Sequence, residues 1–124
     1  MGKFLIKKTA NDGYVFNLKA GNGEVIAVSE TYTTLTACEN GIASVKKNAV
    51  DANLEDQTID NFEKATHPKF EVYKDKKGEF RFRLKAKNGE TIATGEGYAS
   101  KAGCLNGIES IRKNAPEAEV EKQD

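Results

Sequence analysis

The residues of this chain that could do chemistry are few and far apart. Cys38 and Cys104 are the only thiols, and His67 is the only imidazole. A nucleophilic cysteine needs a histidine or a basic neighbour to hold it as the thiolate, and His67 is distant in sequence from both. A zinc site needs Cys and His ligands at close spacing, which His67 in front of Pro68 does not offer. We therefore predict no catalytic centre, no metal site and no cofactor, with both cysteines in the core and His67 in an exposed loop.

Two further motifs resemble active-site elements but have simpler interpretations. Gly21-Asn22-Gly23 matches the start of a dinucleotide-binding loop, yet it lacks the third glycine and joins two predicted strands instead of a strand and a helix. It is therefore interpreted as a hairpin turn. An enzymatic role would require carboxylates such as Glu24 and Glu90 to act alone, and both are more simply surface residues of hairpins. The sequence predicts a protein that is not an enzyme.

Composition and charge narrow the class of protein. The chain has 124 residues, enough for one domain with one core. Apolar residues make up 38% and charged residues 31%, a balance typical of globular proteins. No run approaches the ~18 apolar residues that span a membrane, and the N-terminus lacks a signal-peptide apolar region. The net charge of zero is no polyanion-binding signature. We predict a cytoplasmic protein without a membrane segment.

The chain is a tandem duplication. When the sequence is compared with itself at an offset of 66 residues, 24 of 54 positions are identical and no gap is needed. Residues 3–56 form repeat one, residues 57–68 a linker, and residues 69–122 repeat two. Such a match indicates a repeated structural unit, and a unit of this size is marginal by itself. We therefore predict that the two repeats share one core in a single domain, 1–124.

Three short strands are predicted at the start of each repeat. In repeat one, apolar and polar residues alternate as in a half-buried sheet over residues 4–8, 14–20 and 24–29. The second and third strands are joined by Asn22-Gly23, repeated as Asn88-Gly89. These pairs are typical of a two-residue type I′ turn, in which both central residues have positive φ. The sequence therefore predicts a tight hairpin in each repeat.

A helix follows in each repeat, predicted over residues 34–47 and 100–113. Thr34 and Ser100 are suitable N-caps because their hydroxyl oxygens can accept an unpaired backbone N–H. Asn48 and Asn114 are predicted to stop the helices in a left-handed conformation. Residues 52–55 and 118–121 match as a weak fourth strand.

The core face is predicted from the pairing of the hairpin. A two-residue turn pairs Leu18 with Ala27 and places both on one face with Phe16. A glycine inside a helix costs ~1 kcal/mol relative to alanine. Gly41 and its equivalent Gly107 lie on the buried stripe of each helix, which indicates close approach of helix to sheet above small residues such as Ala27.

The opposite face of the sheet, called the open face below, differs between the repeats. In repeat one it is predicted to be apolar and to carry Leu5, Val15, Asn17, Lys19, Ile26 and Val28. In repeat two it is predicted to be basic and to carry Tyr73, Arg81, Arg83, Lys85, Ile92 and Thr94. Ile59 and Phe62 of the linker could fold over the apolar half, or that half could remain uncovered. The sequence favours neither outcome.

The repeated motifs resemble those of a known family. The motifs are the Asn-Gly-Glu hairpin, the tyrosine before each helix, and the Asn-Gly-Ile-x-Ser helix segment, all present twice in register. Over nearly the whole chain they resemble the YegP-like family of small uncharacterised bacterial proteins. The resemblance implies a βββαβ unit, one continuous antiparallel sheet with α+β architecture and two helices on one face, and exchange of the C-terminal strands between units. It implies no assigned activity, and therefore no catalytic residues.

Two hypotheses for function follow. The first is a small non-enzymatic module that binds a protein partner, or a second copy of itself, through the open face. The alternative is weak binding of single-stranded nucleic acid, with Tyr73 stacking on bases and Arg81 and Arg83 holding phosphates. The basic half is more simply a solvated antiparallel face, because it offers one aromatic for stacking and repeat one has no matching charges. The first hypothesis rests on the apolar half and on the absence of catalytic groups. The biological partner itself is unknown.

Overall fold

Both repeats fold into the predicted succession of strands and one helix. The computed structural model describes residues 2–123. Repeat one contributes β1 (Lys3–Lys8), β2 (Tyr14–Lys19), β3 (Val25–Val28), α1 (Leu35–Asp51) and β4 (Asn53–Asp56). Repeat two contributes β5 (Lys69–Lys74), β6 (Phe80–Lys85), β7 (Thr91–Thr94), α2 (Lys101–Asn114) and β8 (Glu119–Gln123). A short 3-10 turn, Ala115–Glu117, lies between α2 and β8.

One eight-stranded sheet runs through both repeats in the order β4-β5-β6-β7-β3-β2-β1-β8. β3 and β7 meet at its centre through the antiparallel pair Val28 and Thr94. The last strand of each repeat lies beside the first strand of the other: β4 pairs with β5, and β8 pairs with β1. The α+β architecture and the strand exchange implied by the family resemblance are therefore confirmed.

The sheet is not wholly antiparallel, contrary to expectation. β4 runs parallel to β5, and β8 runs parallel to β1. Adjacent parallel strands need a connection of a dozen or more residues, because the chain must return to the end of the sheet from which the first strand started. Residues 57–68 make this connection between β4 and β5. The parallel pairing thus explains why the linker is long.

Both helices lie on one face of the sheet. α1 has 17 residues and is therefore ~25 Å long, enough to cross about four strand spacings of ~4.8 Å. It packs against β2, β7 and β5, so it carries the chain across the centre of the sheet from one repeat to the edge of the other. The predicted N-caps are present, with Thr34 Oγ1 accepting from Ala37 N–H and Ser100 Oγ from Gly103 N–H, both at 3.0 Å.

The predicted left-handed helix stops are wrong. α1 continues past Asn48 to Asp51, and Asn114 has a right-handed backbone with φ −89°. Each asparagine instead donates its side-chain amide to the serine four residues earlier. Asn48 Nδ2 lies 3.0 Å from Ser44 Oγ, and Asn114 Nδ2 lies 2.8 Å from the carbonyl oxygen of Ser110.

The core lies between the helices and the sheet. Phe16, Leu18 and Ala27 are buried there together, as the pairing predicted. Four phenylalanines are fully buried in two equivalent edge-to-face pairs, Phe4 with Phe16 and Phe70 with Phe82. These rings provide large apolar area at the contact of each helix with the sheet.

The helix glycines do approach the sheet layer closely, but their neighbours are aromatic and not the predicted alanine. A Cβ added at Gly41 would lie 2.7 Å from Tyr32 Cζ and 3.2 Å from Phe16 Cε2. At Gly107 the equivalent contacts are Tyr98 Cζ at 3.0 Å and Phe82 Cε2 at 3.3 Å. Each glycine therefore makes room for a tyrosine ring that stacks on a phenylalanine.

The hairpin turns differ in type from the prediction. Gly23 N–H donates to Ala20 O, and Ala20 N–H donates to Glu24 O, both at 2.9 Å. Of the two residues Asn22 and Gly23, Gly23 alone has positive φ, at 87°. This is a three-residue loop, a type I turn followed by a left-handed glycine, and not a type I′ turn. Asn88-Gly89 has the same bonds and the same positive φ at the glycine.

Candidate interaction face

The open face of repeat one carries most of the apolar residues predicted for it. Leu5 and Val15 alternate with core residues of β1 and β2 and are half-buried on this face. Val28 lies near the centre of the sheet and is 38% exposed. Val25 adds a further half-buried aliphatic side chain beside it. Together these four residues form an aliphatic surface, called the apolar half below.

Ile26 does not belong to the apolar half, and its predicted place there is wrong. The register between β2 and β3 shifts within the stretch from Val25 to Ala27, so Ile26 is the extra residue of a β-bulge. The bulge turns its side chain to the core face, where it is 7% exposed and part of the core. Ile92 occupies the equivalent bulge in repeat two and is buried in the same way.

The open face of repeat two carries arginines whose charges are neutralised by neighbouring carboxylates. Arg81 Nε lies 2.6 Å from Asp75 Oδ2, and Arg83 Nε forms an ion pair with Glu71. The guanidinium of Arg83 also lies over the ring of Tyr73, with its Cζ 4.5 Å from the ring centroid. Tyr73, Arg81 and Arg83 are therefore brought together as predicted, but the basic surface expected from their sequence is largely an ion-paired one.

Arg83 is joined through Glu71 to a group of buried charges that sequence reasoning missed. Lys69 Nζ is 2.7 Å from Glu55 Oε1 and 3.1 Å from Glu71 Oε2, and Glu71 continues the network to Arg83. Glu55, Lys69 and Glu71 are each 6% exposed or less. We call Glu55, Lys69, Glu71 and Arg83 the ionic cluster. The available signal was the alternation of Lys69 and Glu71 along β5, opposite in charge and on the same face.

Hydrogen bonding keeps the ionic cluster charged. Burial acts to raise the pKa of Glu55, but hydrogen bonds from Lys69, Gln57 and the Ala65 N–H outweigh it and lower the pKa to about 2. Burial acts to lower the pKa of Lys69, and its bonds to the two carboxylates raise it instead. The pKa of Glu71 is lowered because the bonds from Arg83 and Lys69 outweigh its burial. Each charge is stabilised by its partners.

The linker covers the ionic cluster. Ala65 N–H donates to Glu55 at 2.7 Å, and the Asn53 side chain donates to the carbonyl oxygen of Thr66 at 2.9 Å. Ile59 is 52% exposed, while Phe62 is half-buried. These hydrogen bonds hold the linker on β4 at the edge of repeat two. They place the linker at the opposite edge of the sheet from the apolar half of repeat one, which favours the uncovered outcome of the two left open by the sequence.

The equivalent position in repeat one has no such cover. Lys3 and Glu121 lie 66 residues from Lys69 and Glu55, and they form the same ion pair at 3.0 Å. Their side chains are 50% and 58% exposed. Leu5 occupies the position of Glu71, so the network ends at a single surface pair.

A groove of about 320 Å³ lies where the two halves of the open face meet. Its walls include Val25 and Val28 from β3, Thr94 from β7, and the side chain of Arg81. The chain after β7, residues 95–97, forms the remaining wall. The groove extends the apolar half to the centre of the sheet and places one guanidinium beside it.

The remaining candidates for chemistry occupy ordinary structural positions. Cys38 and Cys104 are fully buried, and burial raises the pKa of each thiol to about 11, so both are protonated at neutral pH. His67 is exposed in the linker. Among residues 2–123, no three His, Cys, Asp or Glu side chains are grouped closely enough to hold a metal ion. Neither helix in this part of the chain is long and apolar enough to cross a membrane.

Comparison with known proteins agrees with the duplicated fold. Residues 10–56 and 75–121 each match the domain of unknown function DUF1508. The UPF0339 protein YegP of Yersinia pestis is 40% identical over 114 residues, covering 92% of this chain and 88% of that protein. A UPF0339 protein of Treponema denticola is 75% identical over 52 residues, 42% of this chain and 90% of that protein. That relative is therefore little longer than one repeat.

A solved structure has the same fold. The solution NMR structure of yegP, a protein of unknown function from E. coli, superposes with a TM-score of 0.81 at 33% identity, covering 98% of this chain and 92% of that one. These relatives carry no assigned activity in their names. Two segments of the chain match the family model, and a relative is 40% identical over most of both chains. The chain therefore belongs to the UPF0339 family of uncharacterised proteins built from DUF1508 repeats.

Proposed function

We propose that this protein is a non-enzymatic module that binds an extended segment of a protein partner on the apolar half of the open face. The observation that supports this most is the position of the linker, which is bonded to the edge of repeat two and leaves Val28 exposed. Exposed aliphatic patches of this kind mark contact surfaces. Two unpaired thiols also suit the cytoplasmic location that we propose.

Charge around the apolar half favours a partner that is acidic as well as apolar. Lys7 and Lys19 lie opposite Val15 and Val25 on the open face and form no ion pair within residues 2–123. A second copy bound face to face would bring these ammonium groups together, and like charges at an interface oppose association. A segment that alternates Asp or Glu with aliphatic residues would match both the apolar half and its lysines.

The ion pairs of Arg81 and Arg83 weigh against nucleic-acid binding. Phosphate binding would have to displace Asp75 and Glu71 from the guanidinium groups, and Tyr73 already lies beneath Arg83. We therefore do not propose the single-stranded nucleic-acid alternative.

The experiment is a selection of random linear peptides displayed on phage, followed by binding assays with Val28→Asp. Val50→Asp is the matched control, because Val50 is 49% exposed and lies on α1, on the other side of the sheet. We expect selected peptides to carry Asp or Glu beside aliphatic residues. They should bind the wild type and Val50→Asp alike, and bind Val28→Asp at least about tenfold more weakly, because a buried valine contributes that much.

Two outcomes would overturn the proposal. One is peptides that bind Val28→Asp as tightly as the wild type. The other is a mass of two chains in light scattering that Val28→Asp reduces to one chain, which would assign the apolar half to a second copy of this protein.

A further inference from the structure

A groove lies between the helix of each repeat and the hairpin of the other, on the helix side of the sheet. In the first groove, α1 faces the hairpin between β6 and β7. It consists of two sections of about 310 and 370 Å³ that share lining residues. The polar side chains that matter below are Tyr32, Asn40, Ser44 and Lys47 from repeat one, and Asn88 and Glu90 from repeat two.

The second groove corresponds to the 370 Å³ section of the first, with Glu109 where that section has Ala43. It lies between α2 and the hairpin of repeat one, has a volume of about 470 Å³, and is lined by Asn22, Asn106, Ser110 and Lys113. Each of these is the same residue type as its equivalent in the first groove. Burial raises the pKa of Tyr98, and nearby carboxylates including Glu24 raise it further. Tyr98 and Glu24 occupy the positions equivalent to Tyr32 and Glu90, which line the first groove together.

The grooves are more alike than the rest of the two repeats. Of the nine residues that line the tyrosine section of the first groove, eight are identical at the equivalent position, compared with 24 of 54 along the whole repeat. The side chains of Asn40, Lys47 and Glu90 are exposed and form no hydrogen bond or ion pair to another side chain in the described part of the protein. Exposed residues without an intramolecular role are free to change, so a shared ligand explains their identity.

The order of polar groups along the groove indicates the class of ligand. Glu90 and Tyr32 lie at one end, Lys47 lies at the other, and amide and hydroxyl side chains lie between them. Tyr32 packs on Gly41, and the six residues from Gly41 to Lys47 span about 9 Å of helix. An extended peptide covers that distance in about three residues. A peptide offers an ammonium group, a row of amides and a carboxylate in this same order.

We propose that each groove binds a short peptide with free termini, its ammonium group at the glutamate and its carboxylate at the lysine, giving two equivalent sites per chain. The carboxamides of Asn40 and Asn88, or of Asn106 and Asn22, bind the peptide backbone between the termini. These sites lie on the opposite side of the sheet from the apolar half, so the inference does not rest on the function proposed above.

The test is an NMR titration of the full, ¹⁵N-labelled chain with a mixture of tripeptides randomised at all three positions. The same mixture with acetylated and amidated termini is the chemical control. We expect the backbone amides of Gly41 and Gly107 to shift with the free tripeptides, and the capped mixture to bind at least about tenfold more weakly because it has lost both terminal charges.

Single variants separate the two sites. Glu90→Gln should abolish the shift at Gly41 and leave that at Gly107, and Glu24→Gln should do the reverse. Glu39→Gln, an exposed substitution on α1 outside the groove, should change neither. The inference is overturned if neither amide shifts up to about 10 mM peptide, the weak end of specific recognition. It is also overturned if capped and free tripeptides bind equally.

Discussion

The two halves of the open face contain the same ion pair in two environments. In repeat two, Lys69 and Glu55 are 2.7 Å apart and nearly inaccessible to solvent beneath the linker. In repeat one, Lys3 and Glu121 are 3.0 Å apart with about half of each side chain exposed. The residues and their places in the strands are equivalent. The linker therefore creates the difference, because it excludes water from one pair and not from the other.

The buried ion pair needs more protein partners than the exposed one, because water cannot hydrogen-bond to it. A buried charge is tolerated only with its hydrogen bonds satisfied, and Lys69 accordingly has Glu71 as a second carboxylate partner. At the surface water satisfies Lys3, and the position equivalent to Glu71 is occupied by Leu5. Because no buried cation needs a carboxylate at this position, the open face of repeat one can be apolar. This apolar character is why we place the partner site there.

The largest expected effect is the difference in stability lost when Lys69 or Lys3 is replaced by methionine. Lys69→Met leaves Glu55 and Glu71 buried without their shared cation and should lower the free energy of unfolding by about 3–5 kcal/mol. Lys3→Met breaks an exposed pair and should lower it by less than about 1 kcal/mol. Urea denaturation of both variants beside the wild type measures the difference. Equal losses would show that the linker does not isolate the ionic cluster from water.

Substitution of the helix glycines should not distinguish the repeats, because the stability lost should be equal in the two. Gly41→Leu and Gly107→Leu each place a side chain against a tyrosine ring and should cost about 1–3 kcal/mol by overpacking. The two sites have the same neighbours, so their thermal midpoints should fall by similar amounts. A loss in one repeat alone would indicate that the repeats differ in the core as well as on the open face.

A smaller effect should appear in acid. The pKa of Glu55 is about 2 in the folded protein, below its ordinary value near 4.5, so its contribution is present above pH ~4.5 and is lost as the pH falls from there toward ~2. Glu55→Gln removes this titration. Urea midpoints measured at neutral pH and near pH 3 should therefore fall less in Glu55→Gln than in the wild type. A variant with an undiminished fall would show that other carboxylates carry the acid sensitivity.

The sequence predicted the features that depend on local pattern. The duplication, the strands, the helix caps and the core residues Phe16, Leu18 and Ala27 all follow from periodicity and from comparing the repeats. The pairing of Leu18 with Ala27 was right although the turn was not, because a longer loop and a bulge together restore the register. The same bulge moved Ile26 into the core, and nothing in the alternation of residues indicates it.

The ionic cluster could not be predicted because its burial depends on distant parts of the chain. Alternation places Lys69 and Glu71 on the open face, where polar residues normally meet water. Only the parallel pairing of β4 with β5, and the linker that this pairing requires, bring Glu55 and Ala65 over them. The helix–hairpin grooves were missed for the same reason, since each combines side chains from both repeats.

The exchange of last strands has a consequence for synthesis on the ribosome. The outer neighbour of β1 is β8, so β1 lacks this neighbour until repeat two has been synthesised. At elongation rates of roughly 5–20 residues per second, this interval is on the order of ten seconds. A free strand edge is a template for pairing with other chains. Lys3, Lys7 and Lys8 place positive charges along β1, and lysines on an open strand edge oppose such pairing.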